Sequence, residues 1–159
     1  MPKEINKILI ANRGEISLRI QRACNELGIK PVSIVSEADQ KSLVARMADE
    51  LVIIGPAPAS ESYLNIEKIV AAALKHSCDA IHPGYGFLSE NSDFAQAVID
   101  AGLIFIGPTP ESIKILGSKT AARSCVEKFG VPCTPGAPGG LSDEDLMVEA
   151  EKIGFPVLI

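Results

Sequence analysis

The chain has 159 residues, 47% hydrophobic and 22% charged, with a net charge of −5, the balance of a globular protein with its own core. Its longest apolar stretches, such as Ile8–Ala11 and Ile69–Leu74, fall far short of the ~20 residues of a membrane span, and the start Met-Pro-Lys-Glu-Ile-Asn-Lys lacks the apolar segment of a secretory leader. Lys and Arg are scattered under a negative net charge, so neither nucleic acid nor a membrane is expected as a partner.

Short apolar runs alternate with segments of helical period, which predicts an α/β fold with a parallel sheet. Lys7–Ala11 reads as a first buried strand. From Glu15 onward Ile16, Ile20, Ala23, Cys24 and Leu27 keep helical spacing, and Gly28 suits the left-handed position that ends a helix. Lys30–Val35 is a second strand, Ser42–Ala48 a short helix and Glu50–Ile54 a third strand. Asn65 caps a helix running to about His76. Ala80–Ile81 gives a brief fourth strand, a helix follows over 91–101, and Leu103–Ile106 makes a fifth strand. Thr109 and Pro110 stand at N-cap and first-turn positions, and Ser118 caps a further helix over Lys119–Phe129. Cys133–Gly140 is a loop, after which Ser142 and Asp145 resemble a capping box.

The final run, Phe155–Ile159, reads as a strand cut short, which predicts a fragment of a longer protein. Residues 1–115 would form one doubly wound domain and residues 116–159 the start of the next. The four cysteines, Cys24, Cys78, Cys125 and Cys133, show no C-x-x-C pair or nearby histidine cluster, and are expected to be reduced and structural.

Two strand-to-helix turns carry the chemistry, because open parallel sheets bind ligands beyond the carboxyl ends of their strands. Ala11-Asn-Arg-Gly-Glu15 holds one glycine where a dinucleotide site needs three, so Asn12 and Arg13 either fix the turn or meet an anion or a neighbouring domain. His82-Pro-Gly-Tyr-Gly-Phe-Leu-Ser-Glu-Asn91 is one glycine short of that pattern, yet its density of functional side chains suits a ligand or domain contact as well as a turn. Gly117-Ser-Lys-Thr120 fails as a phosphate-binding P-loop, since serine precedes the lysine and a helix lies upstream, which leaves Lys119 as a solvated cation or a point charge for phosphate. The first helix carries Glu15, Arg19, Arg22 and Glu26 on one stripe, a solvated face or a subunit interface. No nucleophile–base pair and no metal constellation stands out.

Taken together, Ile8-Leu-Ile-Ala-Asn-Arg-Gly-Glu-Ile16, the 82–91 turn, Phe105-Ile-Gly-Pro108 and Gly117-Ser-Lys119, in this order and spacing, closely resemble the N-terminal domain of biotin carboxylase. That component opens acetyl-CoA, propionyl-CoA, methylcrotonyl-CoA and pyruvate carboxylases, among them the enzyme of fatty acid biosynthesis. The resemblance implies a Rossmann-like, pre-ATP-grasp domain that has lost its dinucleotide site, followed by the start of a truncated ATP-grasp domain. It implies an ATP-dependent ligase in which ATP and bicarbonate give carboxyphosphate, and the released CO2 carboxylates N1′ of biotin on a carrier. ATP, Mg (or Mn) and biotin are the implied cofactors of the parent, with none held tightly by this stretch alone. A biotin carboxyl carrier protein or domain, a carboxyltransferase component and a second copy of the parent are the implied partners.

Residue by residue, Lys119 matches the family lysine that contacts ATP phosphates. Gly84 and Tyr85 match positions near biotin, with the turn to Glu90 lining the cleft. Arg22 and Glu26, beside Arg19, match a dimer interface. The family's metal-binding glutamates, bicarbonate-binding arginine and catalytic arginine would follow residue 159, so no catalytic or metal-binding residue is expected here and the fragment is expected to be inactive. A cytoplasmic location is expected, bacterial before mitochondrial. Three other readings stay open: another pre-ATP-grasp ligase, such as a carbamoyl-phosphate or amidolyase relative; a nucleotide-binding module acting alone; and an interaction domain built on the Arg19–Glu26 stripe.

Overall fold

Five parallel strands make one sheet: β1 (Lys7–Ile10), β2 (Lys30–Ser36), β3 (Glu50–Gly55), β4 (Ala80–His82) and β5 (Ile104–Phe105), in the order β3-β2-β1-β4-β5. The structure, a computed structural model, describes residues 4–137 and 139–158. Residues up to Ile113 form one unit, and Lys114 onward forms a second.

The strands are nearly continuous apolar runs because the sheet is covered on both faces. β2, paired on both edges, is buried without a break from Pro31 to Ser36. Alternation along β1 divides the core: Ile8 and Ile10 pack with Ile20 and Cys24 of α1 (Gly14–Glu26), while Leu9 and Ala11 join the larger cluster on the other face. That larger cluster is closed by Ile69, Ala72 and Ala73 of α3 (Ile66–Lys75) and by Phe94, Ala95 and Val98 of α4 (Ser92–Asp100). A short helix, α2 (Leu43–Met47), packs beside α1, so the sheet is doubly wound as expected.

Local signals set the boundaries. Gly28 has φ +73°, the left-handed backbone that glycine adopts without a Cβ clash just past the end of α1. Ser42, Asn65 and Asn91 each accept a backbone N–H at the start of α2, α3 and α4. Gln21, polar on the buried side of α1, donates to the Ser33 hydroxyl at 2.6 Å, which satisfies two polar groups inside the α1–β2 layer. Helix α5 (Pro110–Leu116) carries the unit boundary, and its Thr109 hydroxyl accepts the Ser112 N–H.

The second unit holds α6 (Lys119–Glu127) and α7 (Asp143–Ile153), capped by Ser118 and Ser142. Two expectations change here. Asp145 takes the Ser142 hydroxyl at 2.8 Å and does not reach back to the Ser142 backbone, because its side chain is one methylene shorter than glutamate; only half of the capping box forms. The run after Gly154 is not a strand through Leu158, which is fully exposed; among the described residues of this unit there is no strand for it to pair with. Position 159 of the expected strand, and Pro138 of the loop, lie outside the described residues. Cys24, Cys78, Cys125 and Cys133 are all unpaired. No helix among the described residues is long and apolar enough to cross a membrane.

Candidate functional site

β1 and β4 are neighbours, but the chain leaves β1 toward β2 and leaves β4 toward β5. The turns after these two strands therefore diverge, and a crevice opens at their carboxyl ends. It is a hollow of about 420 Å³ lined by Asn12, Arg13, Glu15, Asp39, Tyr63, Tyr85 and Phe87 among others.

The two turns are stitched together by one buried side chain. Asn12, only 2% exposed, donates from Nδ2 to the carbonyls of Pro83 at 2.7 Å and Tyr85 at 2.8 Å, while its Oδ1 accepts the Arg13 N–H at 2.9 Å. Every hydrogen-bonding direction of that amide but one is thus used on backbone. Gly84 makes this approach possible. Its φ is +67°, and a Cβ there would stand 2.7 Å from Asn12 Nδ2. The next residues keep the same handedness, Gly86 at φ +63° and Phe87 at φ +45°. For a phenylalanine that backbone is strained, and it persists because the ring stacks on Tyr63 with centroids 5.5 Å apart.

Charged groups are ordered around this frame. The Arg13 guanidinium lies 5.8 Å from the ring centres of both Tyr63 and Phe87, and Nη1 stands 3.5 Å from Asp39 Oδ2. Tyr63 accepts the Ser36 N–H at 2.8 Å and donates to Asp39 at 2.7 Å. The Tyr63 hydrogen bond, joined by Ser36 and the Arg13 charge, holds the Asp39 carboxyl below its ordinary value. Burial and the Asp39 contact push the Tyr63 phenol up to about 12. At the open rim, the Tyr85 hydroxyl donates to Glu15 Oε1 at 2.6 Å, which lowers the Glu15 carboxyl and raises the Tyr85 phenol. His82, half-buried, accepts the Gly84 N–H on Nδ1 at 3.0 Å, and desolvation lowers its pKa.

Of the residues singled out from sequence, Gly84 and Tyr85 thus sit in this crevice wall, with Gly84 serving as the clearance for Asn12. Glu90 is exposed at the far end of the same turn. Arg19, Arg22 and Glu26 are exposed on α1, and neither Glu15–Arg19 nor Arg22–Glu26 closes as an ion pair, Glu15 being turned toward Tyr85. Lys119 lies in the second unit, exposed in the first turn of α6. It lines a hollow of about 400 Å³ with Thr120, Arg123, Cys133, Thr134 and Ala137. Arg123 there is held by Glu127 and the Thr134 carbonyl, which leaves Lys119 as the cation without an ion pair. Asp39, Tyr63 and Phe87 were missed in the sequence, although Glu37-Ala-Asp39 directly after β2 stands where a dinucleotide-binding sheet places its ribose acid. Among the described residues no group of three or more His, Cys, Asp or Glu could hold a metal ion.

The profile of the family described as "Biotin carboxylase, N-terminal domain" matches residues 4–113. The chain is 53% identical to the biotin carboxylase of Allochromatium vinosum, over 100% of this chain and 36% of that protein. The biotin carboxylase of Campylobacter jejuni, solved as a beta-gamma-ATP complex, superposes with a TM-score of 0.92 at 45% identity, over 96% of this chain and 34% of the other. The biotin carboxylase domain dimer of Hydrogenobacter thermophilus 2-oxoglutarate carboxylase, in complex with MgADP, ADP and bicarbonate, does so with a TM-score of 0.90 at 43% identity, over 97% and 34%. The chain spans about a third of the length of these relatives. A doubly wound sheet whose β1 and β4 turns are tied together by Asn12, a 4–113 match and likeness running on through the second unit have one source: the chain belongs to the biotin carboxylase family and covers its N-terminal domain.

Proposed function

We propose that the protein acts as the ATP-using component of a biotin-dependent carboxylase. ATP and bicarbonate would yield carboxyphosphate and ADP, and the CO2 released from carboxyphosphate would pass to N1′ of biotin on a carrier protein or domain. One observation carries this reading: likeness to biotin carboxylases extends across all of the chain, not only its Rossmann-like unit. Residues 116–159 are then the entry into the ATP-grasp part, and residues 1–115 the Rossmann-like domain that precedes it.

In this division of labour Lys119 supplies one positive charge to the ATP phosphates, aided by its place in the first turn of α6. A single point charge binds weakly, because phosphoryl transfer depends on several donors converging on the developing charge. Among the described residues no His, Cys, Asp and Glu cluster fits a divalent metal, and Mg or Mn enters this reading only as a cofactor of the whole enzyme. The turn from Gly84 to Glu90, with Tyr85 presented at its rim, is the wall that meets biotin. Arg19, Arg22 and Glu26, exposed and without ion pairs among the described residues, are the surface offered to a second copy. The four unpaired cysteines suit a reducing, cytoplasmic setting. A fragment ending at residue 159 is inactive in this reading.

The test uses the full-length protein and follows bicarbonate-dependent ADP release with and without free biotin. Stimulation by biotin, with a raised KM for ATP in Lys119→Gln, is the expected result. ADP release that ignores biotin and responds to another acceptor would make the protein a different ATP-grasp ligase.

A further inference from the structure

The Tyr85 phenol stands exposed on a turn whose backbone is tightly held. Its backbone is held by the Asn12 amide on the carbonyls of Pro83 and Tyr85, by the left-handed Gly84, and by Phe87 stacked on Tyr63. Leu88, next in line, is buried. What remains free is the Tyr85 side chain, 60% exposed, whose two side-chain torsions decide which way the ring faces. A single contact sets them: the phenol O–H donates at 2.6 Å to Glu15, a residue of α1 that lies 70 positions earlier.

An exposed hydrogen bond of this kind adds little to stability, since water competes for both partners. Its consequence is orientational. We infer that Glu15 is a positioning residue for biotin: it locks the Tyr85 ring into one rotamer and so presents a preformed aromatic wall to the uncharged bicyclic head of the substrate. The inference rests on the proposed role of this turn in meeting biotin. Without Glu15 the ring samples other rotamers, and binding must first select the correct one, which weakens binding with little effect on turnover of bound substrate.

Two measurements test it, and they fail independently. The 159-residue chain has two tyrosines and no tryptophan, so absorbance at alkaline pH reads the phenols directly. The lower transition, assigned by its loss in Tyr85→Phe, is expected to move down toward the ordinary tyrosine value of about 10 in Glu15→Ala. An unmoved transition means that the contact does not exist in solution, and it overturns the proposal. In the full-length protein, Glu15→Ala is expected to raise KM for free biotin roughly 2- to 12-fold, the factor of one net hydrogen bond, and to raise it more than kcat falls. KM for ATP stays within twofold, and Glu15→Gln, which keeps an acceptor oxygen, restores KM for biotin. Parallel loss in kcat and both KM values, or no change in KM for biotin, overturns the positioning role. Absence of any biotin-dependent turnover in the unmodified protein overturns the reading of the site and this role with it, whatever the titration gives.

Discussion

Gly84 and Gly86 offer a matched pair for testing the Asn12 clamp. Both have positive φ, +67° and +63°, so alanine at either position meets the same backbone penalty, about 1–2 kcal/mol. They differ in their surroundings. A Cβ on Gly86 meets open space, whereas a Cβ on Gly84 stands 2.7 Å from Asn12 Nδ2 and 3.0 Å from its Cγ. Asn12 is 2% exposed and its amide is fixed on two carbonyls, so it has no room to give. Displacing it strands the buried Pro83 carbonyl, which costs about 1–3 kcal/mol. Gly86→Ala is therefore expected to destabilise by about 1–2 kcal/mol and Gly84→Ala by about 2–5 kcal/mol. Urea unfolding followed by circular dichroism measures both. The double variants decide the mechanism: in an Asn12→Ala background the difference between the two glycine substitutions should shrink, because the colliding amide is gone and only the 3.1 Å contact with the Asn12 Cβ remains. Equal costs in the unmodified background, or a difference undiminished by Asn12→Ala, would refute the clamp.

Three further outcomes follow from the site's hydrogen bonds. Tyr63→Phe removes the acceptor of the buried Ser36 N–H and should cost about 1–3 kcal/mol near neutral pH. Because that hydroxyl holds the Asp39 pKa below its unfolded value, the carboxylate's share is present above about pH 4 and fades as pH falls, so the gap in urea midpoint between variant and parent should narrow in acid while the Ser36 share persists. His82 has a folded pKa below its unfolded one, so its contribution is complete above about pH 6.5 and is lost as pH falls. His82→Asn keeps an acceptor for the Gly84 N–H but does not titrate, and should flatten the stability profile between about pH 7.5 and 5. Asn91→Ala removes the acceptor of the Phe94 N–H at the start of α4 and should cost about 1 kcal/mol by the same urea assay.

Elements declared by one strong local signal were legible in the sequence. Asn65, Ser118 and Ser142 all cap the helices they were expected to cap, and Gly28 turns left-handed where α1 ends; Asn91, read as the first helical residue, is instead the cap of α4. Strand starts were equally plain, because apolar runs in a two-sided sheet have no polar face to confuse them. What failed depended on a partner distant in sequence. Phe155–Ile159 is apolar enough for a strand, but a strand exists only through its neighbour. The Glu15–Arg19 pair has ideal helical spacing, yet Glu15 answers to Tyr85 across the crevice. Asn12 read as one polar residue in a turn, and its bonds go to residues more than 70 positions away. Asp39 was overlooked for a related reason: its meaning comes from standing beside Arg13 and Tyr63, not from its own segment.

Those same contacts set this crevice apart from that of a dinucleotide-binding sheet. A dinucleotide-binding domain keeps its first turn bare so that pyrophosphate can reach the helix N-terminus, and it leaves the acid after its second strand open for ribose. Here both positions are filled from within. Asn12 and the Arg13 side chain occupy the mouth of the first turn, and Asp39 already accepts from Tyr63 and Ser36 with Arg13 beside it. A ribose reaching Asp39 would have to compete with its Tyr63, Ser36 and Arg13 contacts. The Asn12 amide meanwhile fixes the backbone at Pro83 and Tyr85 against β1, so the Tyr85 ring stands at the rim on a held backbone, with its hydroxyl on Glu15. The side chain that opens the first turn is thus the one that holds the second, because Asn12 spends both amide protons on carbonyls of the 82–91 segment.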